Sequence, residues 1–232
     1  MTATFQPTLF GAHEVSFDSA FAQLRRIELD PRSWVDYAAG WVRGSDALFE
    51  QVLASRKWTQ RTRRMYEGRV LEPRLTAPWS VRSGVPLDPR VVDDMRVCLS
   101  QKYGVQFDSV GFNFYRDGRD SVAWHGDKIR KEIAEPIVAL VSLGEPRKFL
   151  LRPKGGAEEP AVPATGGGRR PEQRRSIPFQ LGRGDLLVTG GLAQRRWEHC
   201  VPKVAHAGPR ISLAFRYGMT AHAYGLPDPP SP

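Results

Sequence analysis

The chain has 232 residues, of which 41% are hydrophobic, so it is long enough to bury a substantial core and is globular rather than disordered. Its formal net charge of +9 favours a polyanionic partner, and its two cysteines, Cys98 and Cys200, are too few for a disulfide framework or a cysteine zinc site. No apolar run approaches the length of a membrane span, and residues 1–15 lack the pattern of a signal peptide, so we expect a cytoplasmic protein with no membrane partner.

Two helices are predicted in the first hundred residues, after a leader at 1–30 that we expect to pack onto the body. The first opens at residues 44–46, and its apolar stripe is Leu48, Phe49, Val52 and Leu53. The second is signalled more strongly, because Asp88 can cap it and Pro89 suits the first helical position. Its apolar face is Val91, Val92, Met95, Cys98 and Leu99.

Between these helices, residues 56–66 interleave basic side chains with aromatic ones. Such a mixture suits phosphate contacts combined with base stacking, and a solvated basic turn is the alternative. The candidate nucleic-acid contacts here are Trp58, Arg61, Arg63, Arg64 and Tyr66. The segment that follows, 72–79, is bracketed by prolines and is predicted to be an edge strand or a loop.

From residue 108 the sequence consists of short apolar runs separated by glycine, proline and charged turns. Seven strands without intervening helices indicate a sandwich or jelly-roll barrel, so the fold class is α+β, mainly β. The predicted strands cover 110–115, 121–124, 137–143, 148–151, 185–189, 197–201 and 211–217. Residues 154–176, which include Arg169, Arg170, Arg174 and Arg175, are predicted to be a long loop, either facing an anion or a surface insertion.

The most informative motif is His125-Gly126-Asp127. Because side chains alternate along an extended strand, His125 and Asp127 are expected to share a face. His199 could complete a set of two histidines and one carboxylate around a metal. Such a set leaves coordination positions open, as in non-haem Fe(II) oxygenases. A His-x-Asp pair by itself is weak evidence.

A second motif lies in the last predicted strand, where Arg210 and Arg216 fall on one face by alternation. Two guanidinium groups on the inner face of a barrel need anionic partners, and a dicarboxylate cosubstrate would supply one. Surface arginines that flank an edge strand are the alternative.

In combination, the order Asn-x-Tyr, His-x-Asp, a distant His and Arg-x5-Arg resembles the AlkB family of Fe(II)- and 2-oxoglutarate-dependent nucleic-acid dealkylases. The matching segments are 113–115, 125–127, 197–202 and 210–216, with a family-like strand at 136–144 and a lid-like segment at 73–77. The resemblance covers residues 56–217 and implies a double-stranded β-helix (jelly-roll) core with N-terminal helices and a substrate lid. It implies one domain over 1–232, with helices and lid in 1–107, the catalytic core in 108–220 and a flexible tail at 221–232.

The resemblance also implies roles for individual residues. Iron would be held by His125, Asp127 and His199, which are then the catalytic and metal-binding residues. The cosubstrate 2-oxoglutarate would be bound by Asn113, Tyr115, Arg210, Ser212 and Arg216, with Arg210 on the distal carboxylate. With Fe(II), O2 and 2-oxoglutarate, the enzyme would demethylate N-alkylated bases and release formaldehyde, succinate and CO2. Its partner would be an alkylated nucleic acid, either DNA, which could be single-stranded, or RNA. The protein would act as a monomer in repair of alkylation damage.

A target base must leave its stack to be oxidised, so an aromatic platform is expected beside the metal. Trp79 is the candidate that would stack on the extruded base against His125, with Arg74 from the same lid-like segment. Packing of Trp79 in the core is the alternative.

The chain departs from the family pattern in three places. Where many members carry an acidic residue shortly after the iron aspartate, this chain has Lys128-Ile129-Arg130-Lys131, which leaves the preferred base open. Ser212 and Ala214 replace the family's Asn and Thr, and the 154–176 loop replaces a shorter connection.

Three other functions are kept as alternatives: an Fe(II)/2-oxoglutarate hydroxylase of a protein or small molecule, a degenerate nucleic-acid-binding protein and, less favoured, a zinc hydrolase. His206 is the rival third ligand, whereas His13 and His222 near the termini are expected to be exposed.

Overall fold

Two antiparallel sheets, of seven and four strands, form the frame of the computed structural model, which describes residues 14–65, 68–155 and 176–219. The strands are β1 (Ser16–Phe17), β2 (Arg25–Asp30), β3 (Ser33–Ala38), β4 (Val42–Arg43), β5 (Thr62–Met65), β6 (Gly68–Leu71), β7 (Leu75–Ser80), β8 (Ser109–Tyr115), β9 (Val122–His125), β10 (Val138–Gly144), β11 (Arg147–Pro153), β12 (Ile177–Leu181), β13 (Asp185–Gly191), β14 (Trp197–Val201) and β15 (Arg210–Arg216). The helices are α1 (Ser45–Ser55), α2 (Arg90–Tyr103) and the short α3 (Ala193–Arg196), with a 3-10 turn at Val81–Ser83.

The chain from β8 onward passes back and forth between the two sheets. The larger sheet has the order β2-β3-β13-β10-β15-β8-β7, and the smaller has the order β12-β11-β14-β9. Strands β8, β10, β13 and β15 therefore belong to the larger sheet, and β9, β11, β12 and β14 to the smaller. This interleaving is a double-stranded β-helix, and it confirms the predicted fold class of a mainly β protein with a jelly-roll core.

The larger sheet is covered on both faces, which explains why β10 and β13 are buried along their whole length. Alternation in β15 shows the division of the faces. Ile211 and Leu213 join the core beneath α1 and α2, whereas Ala214 joins the core between the two sheets. Arg210 and Ser212, on the same face as Ala214, therefore point into the space between the sheets, as the alternation predicted.

Both predicted helices are present, with their apolar stripes on the larger sheet. Leu48, Phe49 and Val52 of α1 are fully buried, and so are three residues of α2 on the predicted face. The predicted cap of α2 is wrong by one residue, because Pro89 rather than Asp88 is the N-cap and no side chain caps the helix. Proline fixes φ near the value that the first turn needs, so the helix begins without a capping carboxylate.

Several strands were not predicted. Residues 25–38 form the hairpin β2–β3 at the edge of the larger sheet, and only β2 lies within residues 1–30, the predicted leader. Arg25–Asp30 is mostly exposed, so its sequence lacks the apolar signal of a strand. The basic segment forms a second hairpin, β5–β6, and the proline-bracketed segment forms the edge strand β7. No helix among the described residues is long and apolar enough to cross a membrane.

Candidate metal and cosubstrate site

His125, Asp127 and His199 converge between the sheets, and one ligand atom from each lies within 4.8 Å of the others. His125 ends β9 and pairs in register with His199 of β14, so the two imidazole rings are 4.3 Å apart. Asp127 lies two residues beyond the end of β9, so a loop rather than strand alternation brings its carboxylate to this face.

The carboxylate of Asp127 is held on one side only. Its Oδ1 accepts a hydrogen bond from Nε of Arg216 at 2.8 Å and lies 2.8 Å from Nη2 of the same guanidinium, with which it forms an ion pair. Its Oδ2 is buried and has no hydrogen-bond partner in the structure. A buried carboxylate oxygen without a partner is costly unless a cation binds it. The free oxygen is therefore the one that a metal would take.

Protonation of the three side chains suits a metal. Burial has the largest single effect and would raise the pKa of Asp127, but the charges of Arg216, His199 and His125, together with the hydrogen bond from Arg216, outweigh it and lower that pKa to about 2. Burial, with His125 alongside, lowers the pKa of His199 to about 3, and burial also lowers the pKa of His125. At neutral pH the set is therefore one carboxylate and two neutral imidazoles, the form in which these groups bind metals.

The tautomer and orientation of the histidines follow from their neighbours. Nδ1 of His125 lies 2.8 Å from the carbonyl oxygen of Ala123, so Nδ1 carries the proton and Nε2 is left for a ligand. The ring of His199 stacks on Phe149, with centroids 5.0 Å apart and planes inclined by 25°.

A small internal cavity of about 50 Å³ lies against the two histidines and contains the predicted cosubstrate residues. Its lining includes Asn113, Tyr115, Arg210, Ser212 and Arg216. Arg210 is 1% exposed and donates through Nε to Ser142 Oγ at 2.9 Å. Its Nη1 is buried without a partner, and no carboxylate in the described residues forms an ion pair with it.

That guanidinium has the requirements of an anion site. Burial lowers the pKa of Arg210, while the nearby Tyr115, whose ring lies 5.2 Å from the guanidinium carbon, raises it. Two imidazoles and a carboxylate with an unpartnered oxygen fit Fe(II), and a buried arginine whose Nη1 has no partner fits the distal carboxylate of 2-oxoglutarate. The residues present therefore fit both groups.

A second and wider cavity of about 320 Å³ opens from the same centre. His125, Asp127 and Arg216 lie in its wall, and three further cationic residues, Arg61, Arg74 and Lys128, also line it. Arg74 lines both cavities, and its Nε donates to Asn113 Oδ1 at 3.1 Å.

Two predicted aromatic contacts lie elsewhere. Trp79 is 8% exposed within the core, and its Nε1 donates to the carbonyl of Val85 at 2.8 Å, so the structure does not bring it to the cavity. Alternation along β7 is the reason, because Trp79 shares the face of the core residue Ala77. Trp58 packs on Phe114 with ring centroids 5.4 Å apart and donates to the carbonyl of Leu53, so it too supports the core.

Some predicted residues lie outside the part of the chain that is described. These are Tyr66, the side chains of Arg63 and Arg64, the loop arginines between 156 and 175, the tail from 220, His13 and His222. His206, the rival ligand, is exposed and lines a surface hollow with Asp117 and Arg119, away from the other histidines.

Sequence reasoning missed three contributors to the site. Glu72 lines the wide cavity and contacts Arg74 Nη2 at 3.2 Å. Gln194 accepts a hydrogen bond from the backbone N–H of Asp127 at 3.3 Å. Phe149 supports His199. A single glutamate, glutamine or phenylalanine carries no motif, so only the tertiary contacts identify these residues.

Comparison with known proteins agrees with this geometry. A family model described as the 2OG-Fe(II) oxygenase superfamily matches residues 54–216. "Alpha-ketoglutarate-dependent dioxygenase alkB homolog 3" of Bos taurus is 33% identical over 217 residues, which are 89% of this chain and 70% of that protein. The Homo sapiens protein of the same name is 33% identical over 186 residues, 75% of this chain and 62% of that protein. "DNA oxidative demethylase ALKBH2" of Arabidopsis thaliana is 38% identical over 120 residues, 49% of this chain and 38% of that protein. The chain thus spans part of the length of each relative.

Proposed function

The chain belongs to the 2OG-Fe(II) oxygenase superfamily, within the AlkB family, and from this premise we propose that it removes alkyl groups oxidatively from base nitrogens of DNA or RNA. As a member of that superfamily it is a dioxygenase that uses Fe(II), 2-oxoglutarate and O2. The observation that carries the proposal is the wide cavity with Arg61, Arg74 and Lys128, which begins at the metal ligands and suits a polyanion.

In this proposal His125, Asp127 and His199 hold the iron, and Arg216 keeps Asp127 ionised and aimed. When bound, the iron and 2-oxoglutarate supply oxidation of the alkyl carbon by O2, with succinate and CO2 as co-products. The hydroxyalkyl group left on the base nitrogen is a hemiaminal, which breaks down to the free base and an aldehyde.

The second group of residues binds the cosubstrate. Arg210 takes its distal carboxylate, with the Tyr115 hydroxyl, Asn113 and Ser212 as further polar partners. The burial of Arg210 keeps its guanidinium away from bulk solvent, which strengthens the charge interaction. Binding of a dicarboxylate there would satisfy the unpartnered N–H of Arg210.

The base enters from the wide cavity. The cations that line the wide cavity contact phosphates. Lys128 begins the segment 128–131, where many family members carry an acidic residue, and it lines this cavity as well. We also propose that residues 73–79 form a lid over the substrate. Arg74, which lines the wide cavity, would contact the nucleic acid in place of Trp79.

The test is formaldehyde release from oligonucleotides that carry N-methylated bases, supplied as single-stranded DNA, double-stranded DNA and RNA. We expect release that requires Fe(II) and 2-oxoglutarate and that is lost in His125→Ala and Asp127→Ala, both still folded. Unmethylated oligonucleotides of the same sequence are the controls. Turnover of 2-oxoglutarate with a protein or small molecule, and no formaldehyde from any oligonucleotide, would contradict the proposal and support the hydroxylase alternative. Oligonucleotide binding without any iron-dependent turnover would support a degenerate site.

A further inference from the structure

The four-residue helix α3 makes several hydrogen bonds to the loop that carries Asp127. It lies directly before β14, which carries His199, and it faces the loop that carries Asp127. Of its four residues, Ala193 and Gln194 are buried. Gln194 is 4% exposed, and a glutamine at this depth must satisfy both ends of its amide.

Both ends of the Gln194 amide are committed. Its Nε2 donates to Thr189 Oγ1 at 2.7 Å, and its Oε1 accepts from the backbone N–H of Asp127 at 3.3 Å. The orientation is fixed, because a backbone N–H can only donate and would oppose a flipped amide. The Gln194 amide therefore connects the backbone of Asp127 to Thr189 of β13.

The next residue of α3 holds the remainder of the loop. Nη1 of Arg195 donates to the carbonyl of Ile129 at 3.2 Å, and its Nη2 donates to the carbonyls of Arg130 and Ile133, each at 2.6 Å. One guanidinium thus fixes three carbonyls within seven residues of Asp127.

A third contact comes from the end of β11. Lys154 donates through Nζ to the carbonyl of Gln194 at 2.8 Å and through its backbone N–H to the carbonyl of Arg196 at 2.7 Å. A Cβ placed on Gly126 would lie 2.7 Å from Lys154 Nζ, so the loop and the lysine are in close contact. The loop that joins His125 to Asp127 is therefore packed tightly against α3 and Lys154.

We propose that Gln194 and Arg195 are positioning residues of the metal centre: they fix the backbone of residues 126–133 so that Asp127 Oδ2 stays directed at the two imidazoles. A guanidinium has no atom that could bind a metal, and both ends of the Gln194 amide already have protein partners, so each side chain acts through Asp127. Groups that orient metal ligands typically affect metal affinity by about 10- to 100-fold when removed.

The deciding variant is Gln194→Met, which keeps the volume and removes both hydrogen bonds. We expect Mn(II), used as an oxygen-stable probe, to bind about tenfold more weakly to it in a calorimetric titration without nucleic acid. Its metal-free form should still unfold cooperatively, at a temperature lowered by only a few degrees, because the N–H of Asp127 loses its protein acceptor. Its 2-oxoglutarate affinity at saturating Mn(II) should be unchanged within about twofold.

Two further variants separate positioning from packing. Gln194→Glu keeps an oxygen that accepts from Asp127 N–H, so it should restore Mn(II) binding. Arg196→Met is the matched control, because Arg196 lies on the same helix and its side chain pairs with Asp30 at 3.2 Å, away from the loop. It should bind Mn(II) like the wild type.

Unchanged Mn(II) affinity in Gln194→Met, or equally weakened affinity in Gln194→Met and Arg196→Met, would overturn the proposal. If Gln194→Met does not fold, Arg195→Lys decides in the same titration, since it keeps the charge but cannot bind all three carbonyls; wild-type affinity there would also overturn it. The readout needs no substrate, so its failure is distinguishable from failure of the dealkylase proposal.

Discussion

At the scale of single residues, the candidate site contains buried polar atoms that have no hydrogen-bond partner within the protein. Asp127 has one oxygen held by Arg216 and one without a partner, and Arg210 has a buried N–H without a partner. Such groups cost free energy while they have no partner, and they recover it when a ligand binds. These two unsatisfied groups of opposite charge lie on two cavities that share His125 and Arg216, and they are the local signature of a metal and an anion.

The first prediction concerns Arg210. Arg210→Met should weaken 2-oxoglutarate binding by about 100-fold, because a charge-assisted hydrogen bond in a buried site contributes about 2–3 kcal/mol. Mn(II) affinity without 2-oxoglutarate should stay unchanged. The measurement is a 2-oxoglutarate titration at saturating Mn(II).

Arg152→Met is the matched control for Arg210→Met. Arg152 pairs with Glu198 at 2.6 Å and lies over Trp124, outside the lining of both cavities. An unchanged 2-oxoglutarate affinity in Arg210→Met would mean that Arg210 does not bind the carboxylate of 2-oxoglutarate.

The second prediction concerns pH. The pKa of His199 falls from 6.5 to about 3 on folding, so below pH 6.5 the unfolded chain takes up a proton that the folded chain does not. Stability of the metal-free protein should therefore fall with decreasing pH, from pH 6.5 toward pH 3, by at most about 1.4 kcal/mol per pH unit from this group. Asp127, with its pKa lowered from 3.8 to about 2, adds a loss of the same sign only below pH 4.

Urea unfolding at pH 7.5, 6.5 and 5.5 in the presence of a chelator measures this effect. His199→Leu removes the titrating group, so its stability should change less between pH 6.5 and 5.5 than that of the wild type. Equal slopes in the two proteins would show that His199 is protonated in the folded state.

At the scale of elements, one strand serves both the core and the site. Ile211, Leu213 and Phe215 of β15 pack beneath the helices, and the alternate residues face the cosubstrate cavity. The position of Arg210 is therefore fixed by the same register that buries its neighbours. A shift of one residue would exchange the two sets, so the core specifies the site.

The third prediction tests the pairing of β13 with β3. Gly190 lies opposite Trp34, and an added Cβ would be 2.0 Å from the indole ring. Gly190→Ala should lower the free energy of unfolding by about 2–3 kcal/mol, because the tryptophan has to move out of its packed position. Urea unfolding measures it.

Gly182→Ala is the control for Gly190→Ala, since its Cβ would meet only ordinary contacts of 3.4 Å or more. Gly182→Ala should leave the free energy of unfolding nearly unchanged. Equal stability of Gly190→Ala and Gly182→Ala would mean that the Trp34 ring is not held over the strand.

At the scale of the whole molecule, the net charge of +9 matters most where it meets the wide cavity. Counterion release makes binding to a nucleic-acid backbone weaken as salt rises. The cationic residues that line the wide cavity place part of this positive charge beside the metal ligands, where it can bind phosphates.

The fourth prediction follows from this arrangement. Arg61→Ser with Lys128→Ser should weaken binding of a single-stranded oligonucleotide. The dependence of log affinity on log salt should also become shallower, by about 0.7 for each phosphate that the protein no longer neutralises. Fluorescence anisotropy between 50 and 200 mM salt, roughly the range in which such contacts are resolved, measures it.

The control pair for this experiment is Arg43→Ser with Arg90→Ser. Both residues are exposed and neither lines the cavity, although their replacement removes the same net charge. An equal change of slope in both pairs would mean that the charge acts diffusely and that the cavity does not bind the strand.

The sequence by itself determined the fold class and both helices of the first hundred residues, and it singled out the candidate metal and cosubstrate residues. Periodicity is a local property, and burial of an apolar face enforces it, so strands and the shared face of Arg210 and Arg216 follow from spacing. Motif residues of distinctive type, such as His125 and His199, are likewise legible one at a time.

Only the tertiary structure decided which of those side chains meet. It placed Trp79 in the core, brought Asp127 to the histidines through a loop, and joined that loop to α3 through Gln194 and Arg195. These outcomes depend on contacts between residues far apart in the chain, which carry no periodic signal. The side chain of a glutamine or a tryptophan is common to core and site alike, and only the packing around it determines which role it has.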